Sequence, residues 1–275
     1  MTTTTPIAVH GAAGRMGQAI LRTMIGRGDV ALVAALVRSG SDLEGQPLAA
    51  TLGSRAPAIV CTSSLPADLT PAVLIDFSVA AAFDHALGLA LERRIAFVSG
   101  TTGLSAKQQA ALDGAAASIA VLWSANFSLG VALLSRLVAE AARSLPDWDC
   151  EIAEAHHSRK QDAPSGTALA LGREAASARD RDFDAVARLS HVGVNAARTP
   201  GSIGFAVTRA GDIVGEHTVT FATLGERIEL VHRATDRDIF ARGAIVAARW
   251  IAGRPHGRYA LADVLAGRNG PAIGA

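Results

Sequence analysis

The stretch Gly11-Ala12-Ala13-Gly14-Arg15-Met16-Gly17 constrains this chain more than any other part of it. It follows the short apolar run Ile7-Ala8-Val9-His10 and opens a helical pattern that continues to about Arg27. Strand, glycine turn and helix form the first half of a βαβ unit. Backbone amides at a helix start free of bulky side chains hold a pyrophosphate well. The spacing is G-x-x-G-x-x-G instead of the commoner G-x-G-x-x-G, and the plainer alternative is a tight turn whose glycines only reverse the chain. The position of the motif on the first βαβ unit favours a dinucleotide.

The rest of the first half repeats that grammar. Val30 to Val37, Val73-Leu74-Ile75-Asp76, Ile95 to Val98 and Ile119 to Trp123 read as buried strands. Helical patterns cover Val79 to Glu92 and Ser105 to Ala117. Strands apolar throughout and separated by helices predict a doubly wound parallel sheet, an α/β Rossmann-like domain. The second half differs. A helix is expected over Leu129 to Arg143, a strand over Asp149 to Ala155 and a helix beginning near Gly166. Three β-like stretches follow, Phe205 to Arg209, Val214 to Ala222 and Arg227 to Val231, before a helical pattern from Asp236 to Ala252. That order predicts a second α+β domain on an antiparallel or mixed sheet.

The end of the second strand normally decides between the two nicotinamide cofactors. It reads Ala35-Leu36-Val37-Arg38, with no carboxylate to accept from ribose hydroxyls. Arg38, assisted by Arg15, suits a 2′-phosphate, so NADPH is expected to be preferred, with NADH possible. The alternative is an ordinary exposed arginine. Gly100-Thr101-Thr102-Gly103 and Ala125-Asn126-Phe127-Ser128 follow two further strands, where cofactors of such sheets bind, although loops of any kind contain such residues.

The segment from Glu154 to Thr167 carries His156, His157, Arg159, Lys160, Asp162 and Pro164-Ser165-Gly166-Thr167. Ser165 reads as a helix N-cap, and the amides behind it would bind a carboxylate. Of 26 basic residues only Lys107 and Lys160 are lysines. Lysine surrenders a proton when its surroundings lower its pKa and arginine does not, so Lys160 is a candidate donor beside two imidazoles. The bland alternative is a solvated polar loop ahead of a capped helix. His10, His85, His191, His217, His232 and His256 are scattered and read as core or surface residues, and no spacing proposes a metal site.

Other classes fit poorly. A formal net charge of +1 and 4% aromatic residues leave neither a field nor stacking platforms for nucleic acid. No apolar run approaches the roughly 20 residues of a membrane span. Cys61 and Cys150 suggest neither a disulfide framework nor a metal cluster, and the start lacks a signal pattern, so a cytoplasmic protein is expected. A non-enzymatic nucleotide sensor would need neither His156 nor Lys160, and another two-domain Rossmann dehydrogenase would leave them unexplained.

Glu154-Ala-His-His-Ser-Arg-Lys-Gln-Asp-Ala-Pro-Ser-Gly-Thr167 closely resembles the signature of the dihydrodipicolinate reductase family, E-x-H-H-x-x-K-x-D-A-P-S-G-T. The Gly11 turn, Asp76-Phe77-Ser78, Gly100 to Gly103 and Ala125 to Ser128 match that family in order and spacing. The resemblance implies a nicotinamide-dependent reductase of the diaminopimelate and lysine route. It implies His156 as the catalytic-site histidine, Lys160 as proton donor, His157 as a substrate contact, and Ser165, Gly166 and Thr167 as a substrate carboxylate site. Gly11, Ala12, Ala13, Gly14, Arg15, Met16, Arg38, Gly100, Thr101, Thr102, Ala125, Asn126 and Phe127 would line the cofactor site. It further implies a dinucleotide-binding domain of residues 1–128 plus 241–275. Residues 129–240 would form the substrate and oligomerisation domain of a homotetramer whose domains close over the cleft. The family is often acidic where this chain has Val37, which argues against efficient NADH use.

Overall fold

The computed structural model describes residues 4–190 and 197–267, so His191 lies outside the described residues. The chain divides into two compact units, Met1–Phe127 with Asp238–Ala275, and Ser128–Arg237. In chain order the first unit holds β1 (Thr5–His10), α1 (Arg15–Met24), β2 (Val30–Leu36), α2 (Ala49–Leu52), β3 (Cys61–Thr62), β4 (Val73–Asp76), α3 (Ala80–Arg93), β5 (Ala96–Ser99), α4 (Ala106–Ala115) and β6 (Ala120–Trp123). The second unit follows with α5 (Leu129–Ser144), β7 (Asp149–His156), α6 (Gly166–Ala178), α7 (Phe183–Val186), β8 (Ala187–Arg188), β9 (Ile203–Arg209), β10 (Gly215–Thr223) and β11 (Glu226–Ala234). The chain then returns to the first unit as α8 (Asp238–Ile251), β12 (Gly257–Tyr259) and α9 (Leu261–Ala266).

Seven parallel strands form the first sheet in the order β12-β6-β5-β4-β1-β2-β3. Strands of such a sheet carry apolar residues on both faces because helices cover both. Ala8, Leu74, Phe97 and Val121 pack with Phe83, Leu87 and Leu112 of α3 and α4. Their alternate neighbours Val9, Ile75, Val98 and Leu122 are equally buried and point to the opposite face. On α8, Ala241, Gly243, Ala244, Ala247 and Ala248 supply a smooth buried surface, and this helix packs on α1. From β1 the chain winds outward through β2 in one direction and, from β4, in the other. The crevice at that switch point lies beyond the C-terminal ends of β1 and β4. The Gly11 turn and Asp76-Phe77-Ser78 follow those two strands.

The second unit carries a mixed sheet ordered β11-β10-β7-β9-β8. Central β7 pairs antiparallel with β10 and parallel with β9. Its burial alternates residue by residue, placing Cys150, Ile152, Glu154 and His156 on the inner face. The first two enter a core with Leu134 and Val138 of α5 and Leu171 and Ala175 of α6, along with Phe205, Val219 and Phe221. The same inner row therefore changes from apolar to ionisable at the C-terminal end of β7. The two-residue strands β3 and β8 and the three-residue β12 escape sequence reading because so short a run shows no periodicity.

Candidate active site

In the first unit, the glycine turn has a steric reason at each end. Gly11 adopts a positive φ of 78°, and a Cβ there would lie 2.7 Å from the Phe77 carbonyl oxygen. At Gly17 a Cβ would lie 2.2 Å from the Gly11 carbonyl oxygen, so the first turn of α1 is pressed onto the loop. The amides that open α1 have no partner within the helix, and Gly14 as N-cap offers no side chain to them. A cavity of about 520 Å³ adjoins this turn, lined by Gly11, Ala13, Gly14, Val37, Arg38, Ser39, Ser63, Phe77, Ser78, His10 and His85, among others. Glycine backbone, helix amides and the exposed Arg38 fit a dinucleotide with a charged adenosine end. Arg15 and Met16 are not on that lining.

Under the cavity lies a saturated carboxylate. Asp76 is fully buried and accepts from His10 Nδ1 (2.8 Å), Ser78 Oγ (2.6 Å), Ser99 Oγ (2.9 Å) and Thr101 Oγ1 (2.7 Å). Burial pushes this carboxyl up, but its donors from His10, Ser78 and Thr101 outweigh that and hold it below the usual carboxylate range. The Thr101 hydroxyl is thus turned inward, while Thr102 remains exposed. The Thr101 carbonyl accepts from Trp123 Nε1 at 2.8 Å. Phe127 is buried against the Phe77 ring, with centroids 5.2 Å apart, and Ala125 is exposed.

In the second unit, Ser165 caps α6 as the sequence predicts, its Oγ accepting from Ala168 N. Pro164 and Ser165 are buried, whereas Gly166 is exposed at the helix start and Thr167 half-buried. His156 ends β7 and hydrogen-bonds through Nδ1 to Glu154 Oε2 at 2.6 Å. Glu154 in turn receives both ends of the Arg209 guanidinium at 2.8 Å each and the Ser165 amide at 3.0 Å. Burial pushes Glu154 up, but Arg209, His156 and the Ser165 amide prevail and hold it below the usual carboxylate range. Lys160 Nζ pairs with Asp162 Oδ1 at 2.8 Å. That lysine holds the Asp162 carboxyl below its usual value. Arg159 is exposed.

Two residues beyond the sequence-predicted set join this group. His217 is buried on β10, with Nε2 hydrogen-bonded to Ser165 Oγ at 3.1 Å and its ring edge-on to His156 at 5.2 Å. Burial, reinforced by the neighbouring His156, pushes its pKa down to about 4. Arg209 is the second. An isolated histidine or arginine in a strand carries no local mark, but the alternation places His217 on the inner row of β10, opposite Glu154. His157 is half-buried with an unpartnered Nδ1, and burial followed by repulsion from Arg237 and Arg159 lowers its pKa.

Two family models together span most of the chain, meeting where the second unit begins, and the C-terminal model also takes in α8 and β12 of the first unit. Residues 5–127 match the model described as dihydrodipicolinate reductase, N-terminus, and residues 130–265 match dihydrodipicolinate reductase, C-terminus. The 4-hydroxy-tetrahydrodipicolinate reductase of Stenotrophomonas maltophilia (strain R551-3) is 46% identical over 267 residues, covering 94% of this chain and 97% of the relative. Its namesake from Cereibacter sphaeroides (strain ATCC 17023) is 47% identical over 262 residues, covering 94% and 97%. Among solved structures, a dipicolinate-bound dihydrodipicolinate reductase from Paenisporosarcina sp. TG-14 shares the fold with a TM-score of 0.75. It is 23% identical, with 94% of this chain and 98% of that chain covered.

Proposed function

The chain belongs to the dihydrodipicolinate reductase family, and from that premise we propose how its residues perform the reaction. The protein is an oxidoreductase of diaminopimelate and lysine biosynthesis that reduces 4-hydroxy-tetrahydrodipicolinate with a nicotinamide cofactor. The first unit is the dinucleotide-binding domain and the second the substrate and oligomerisation domain. The observation that carries the reading is the group formed by Glu154, His156, Lys160 and Ser165 at one end of the second sheet.

When bound, the reduced nicotinamide supplies the hydride. Gly11 to Met16 would hold its pyrophosphate at the turn and the start of α1, and Gly100 to Thr102 with Ala125 to Phe127 would border the rest of the cofactor. Arg38 at the cavity wall pairs with a 2′-phosphate, so NADPH is preferred over NADH. Ser165, Gly166 and Thr167 present the positive end of α6 to one substrate carboxylate, with His157 as a further contact. Once the 4-hydroxyl has left as water, hydride added to the resulting conjugated imine would leave electron density that takes up a proton. Lys160, whose Nζ lies 2.8 Å from Asp162 Oδ1, supplies it. His156, braced by Glu154, stabilises and orients the reacting system. Leu224, Ile228 and Val231 leave apolar side chains exposed on and beside β11, a surface that suits assembly into a tetramer.

The decisive experiment follows NADPH and NADH oxidation by the purified chain, with substrate generated in situ by the enzyme that precedes it. Turnover is expected with NADPH. Lys160→Ala is expected to lower kcat by about 10²- to 10⁴-fold, with cofactor binding retained. Near wild-type turnover in that variant would remove Lys160 from the mechanism. Cofactor binding without any turnover by the wild type would reject the substrate assignment.

A further inference from the structure

Glu154 has every acceptor direction filled. A carboxylate offers about four lone-pair positions. Oε1 accepts from Ser165 N and Arg209 Nη2, and Oε2 accepts from His156 Nδ1 and Arg209 Nη1. The Glu154 side chain is 0% exposed, so water does not substitute for any of these partners. The Ser165 amide and the guanidinium are obligate donors, which leaves the carboxylate acceptor-only. His156 Nδ1 therefore carries its hydrogen, because a bare Nδ1 would set a lone pair against an anionic oxygen at 2.6 Å. In the neutral imidazole that places the free lone pair on Nε2. Gly215 lies beside that nitrogen, where a Cβ would come within 3.0 Å of it, so glycine at this point of β10 leaves room at Nε2.

Arg209 does more than neutralise Glu154. It stands opposite His156 in the register of β7 and β9, and its Nη2 also donates to the Asp162 carbonyl at 2.5 Å. Asp162 is the residue whose side chain pairs with Lys160. One planar guanidinium thus reaches the inner row of β7 and the loop that presents the lysine, while Glu154 ties the same fork to the start of α6. Lysine has a point charge in place of a fork and could not make these contacts at once.

We infer that the Arg209–Glu154 pair is the positioning device of this site: it fixes His156 in the Nδ1-protonated form with Nε2 open, and it sets the Lys160 loop against the start of α6. The inference rests on the roles proposed for His156 and Lys160, but its central statement concerns a tautomer and can be read without substrate.

The test uses the full chain labelled with ¹⁵N-histidine, with His156 assigned by difference against His156→Asn. Long-range ¹H–¹⁵N spectra are recorded at alkaline pH, where imidazoles are neutral. The wild type is expected to show the Nδ1–H pattern at His156. Glu154→Gln is expected to mix the tautomers, because an amide can donate or accept at that position. In the same variant kcat is expected to fall on the order of 10- to 100-fold, while the NADPH Kd stays within about two-fold. Arg209→Lys, which keeps the charge and loses the fork, is expected to lower kcat without changing the His156 tautomer. An Nε2–H pattern in the wild type overturns the inference, and that measurement decides even if a variant fails to fold. Unchanged kcat in folded Glu154→Gln and Arg209→Lys overturns it equally. A loss of kcat in Glu154→Gln with an unmixed tautomer reduces the pair to a structural support. Inactivity of the wild type would reject the substrate proposed above and leaves the tautomer result to stand on its own.

Discussion

At the scale of single residues, charge placement governs function and stability in different units. Arg38 is exposed on the wall of the cavity beside the glycine turn, next to buried Val37. Arg38→Ala is expected to raise the Kd for NADPH by about 10-fold or more and leave NADH nearly unchanged, as the removal of one charge-assisted phosphate contact requires. Equal weakening of both, read by fluorescence titration, would end the 2′-phosphate assignment. His217 acts on stability. Its pKa in the fold is about 4, below the ordinary 6.5, so the folded state resists a proton that the unfolded chain accepts. Its contribution is therefore full above pH 6.5 and is lost as the pH falls toward 4, a change of roughly 3 kcal/mol for this buried group. Urea midpoints measured across that range should show an acid limb that flattens in His217→Asn. An unchanged limb would place the acid sensitivity elsewhere, in Asp76 or Glu154, whose carboxyls are also held low.

At the scale of elements, the site consists of strand ends and helix starts, and its precision depends on close backbone approach. The 2.2 Å separation that a Cβ at Gly17 would meet is with backbone, which has no rotamer to relieve it. Gly17→Ala is expected to displace α1 from the turn, abolish measurable cofactor binding and lower stability by about 1–3 kcal/mol. Retained NADPH affinity in a folded Gly17→Ala would show that the turn is not the pyrophosphate cradle. The loop after β5 depends on a buried anchor in place of a steric one. Asp76→Asn converts an acceptor-only group into one that must also donate, although all its partners donate to it. Loss of about 2–3 kcal/mol and looser hydrogen exchange across Ser99 to Thr102 are expected. Protection unchanged in that loop would separate Asp76 from its positioning. In the second unit α6 begins where the sequence predicts, because a buried serine followed by glycine and threonine satisfies its own first turn.

At the scale of the whole molecule each unit buries its own core, the first sheet on both faces and the second on its inner face. If the exposed apolar side chains around β11 are covered by further copies of the chain, light scattering should return four times the chain mass. A monomer at micromolar concentration would refute the tetramer. The fold class was legible in the sequence because both periodicities are local: continuous apolar runs between helices in the first half, and alternation in the second. The glycine turn, the Ser165 cap and the cluster from Glu154 to Thr167 were legible for the same reason, since each is contiguous in the chain. Tertiary structure alone decided the rest. Asp76 gathers hydroxyls 23 and 25 residues away, and Arg209 reaches a carboxylate 55 residues away, at distances in sequence where no local pattern survives. It also decided that Thr101 turns inward to Asp76 and that His217 belongs with His156. A buried polar group must find its partners wherever the packing brings them, and strand order, which the chain does not write locally, determines who they are.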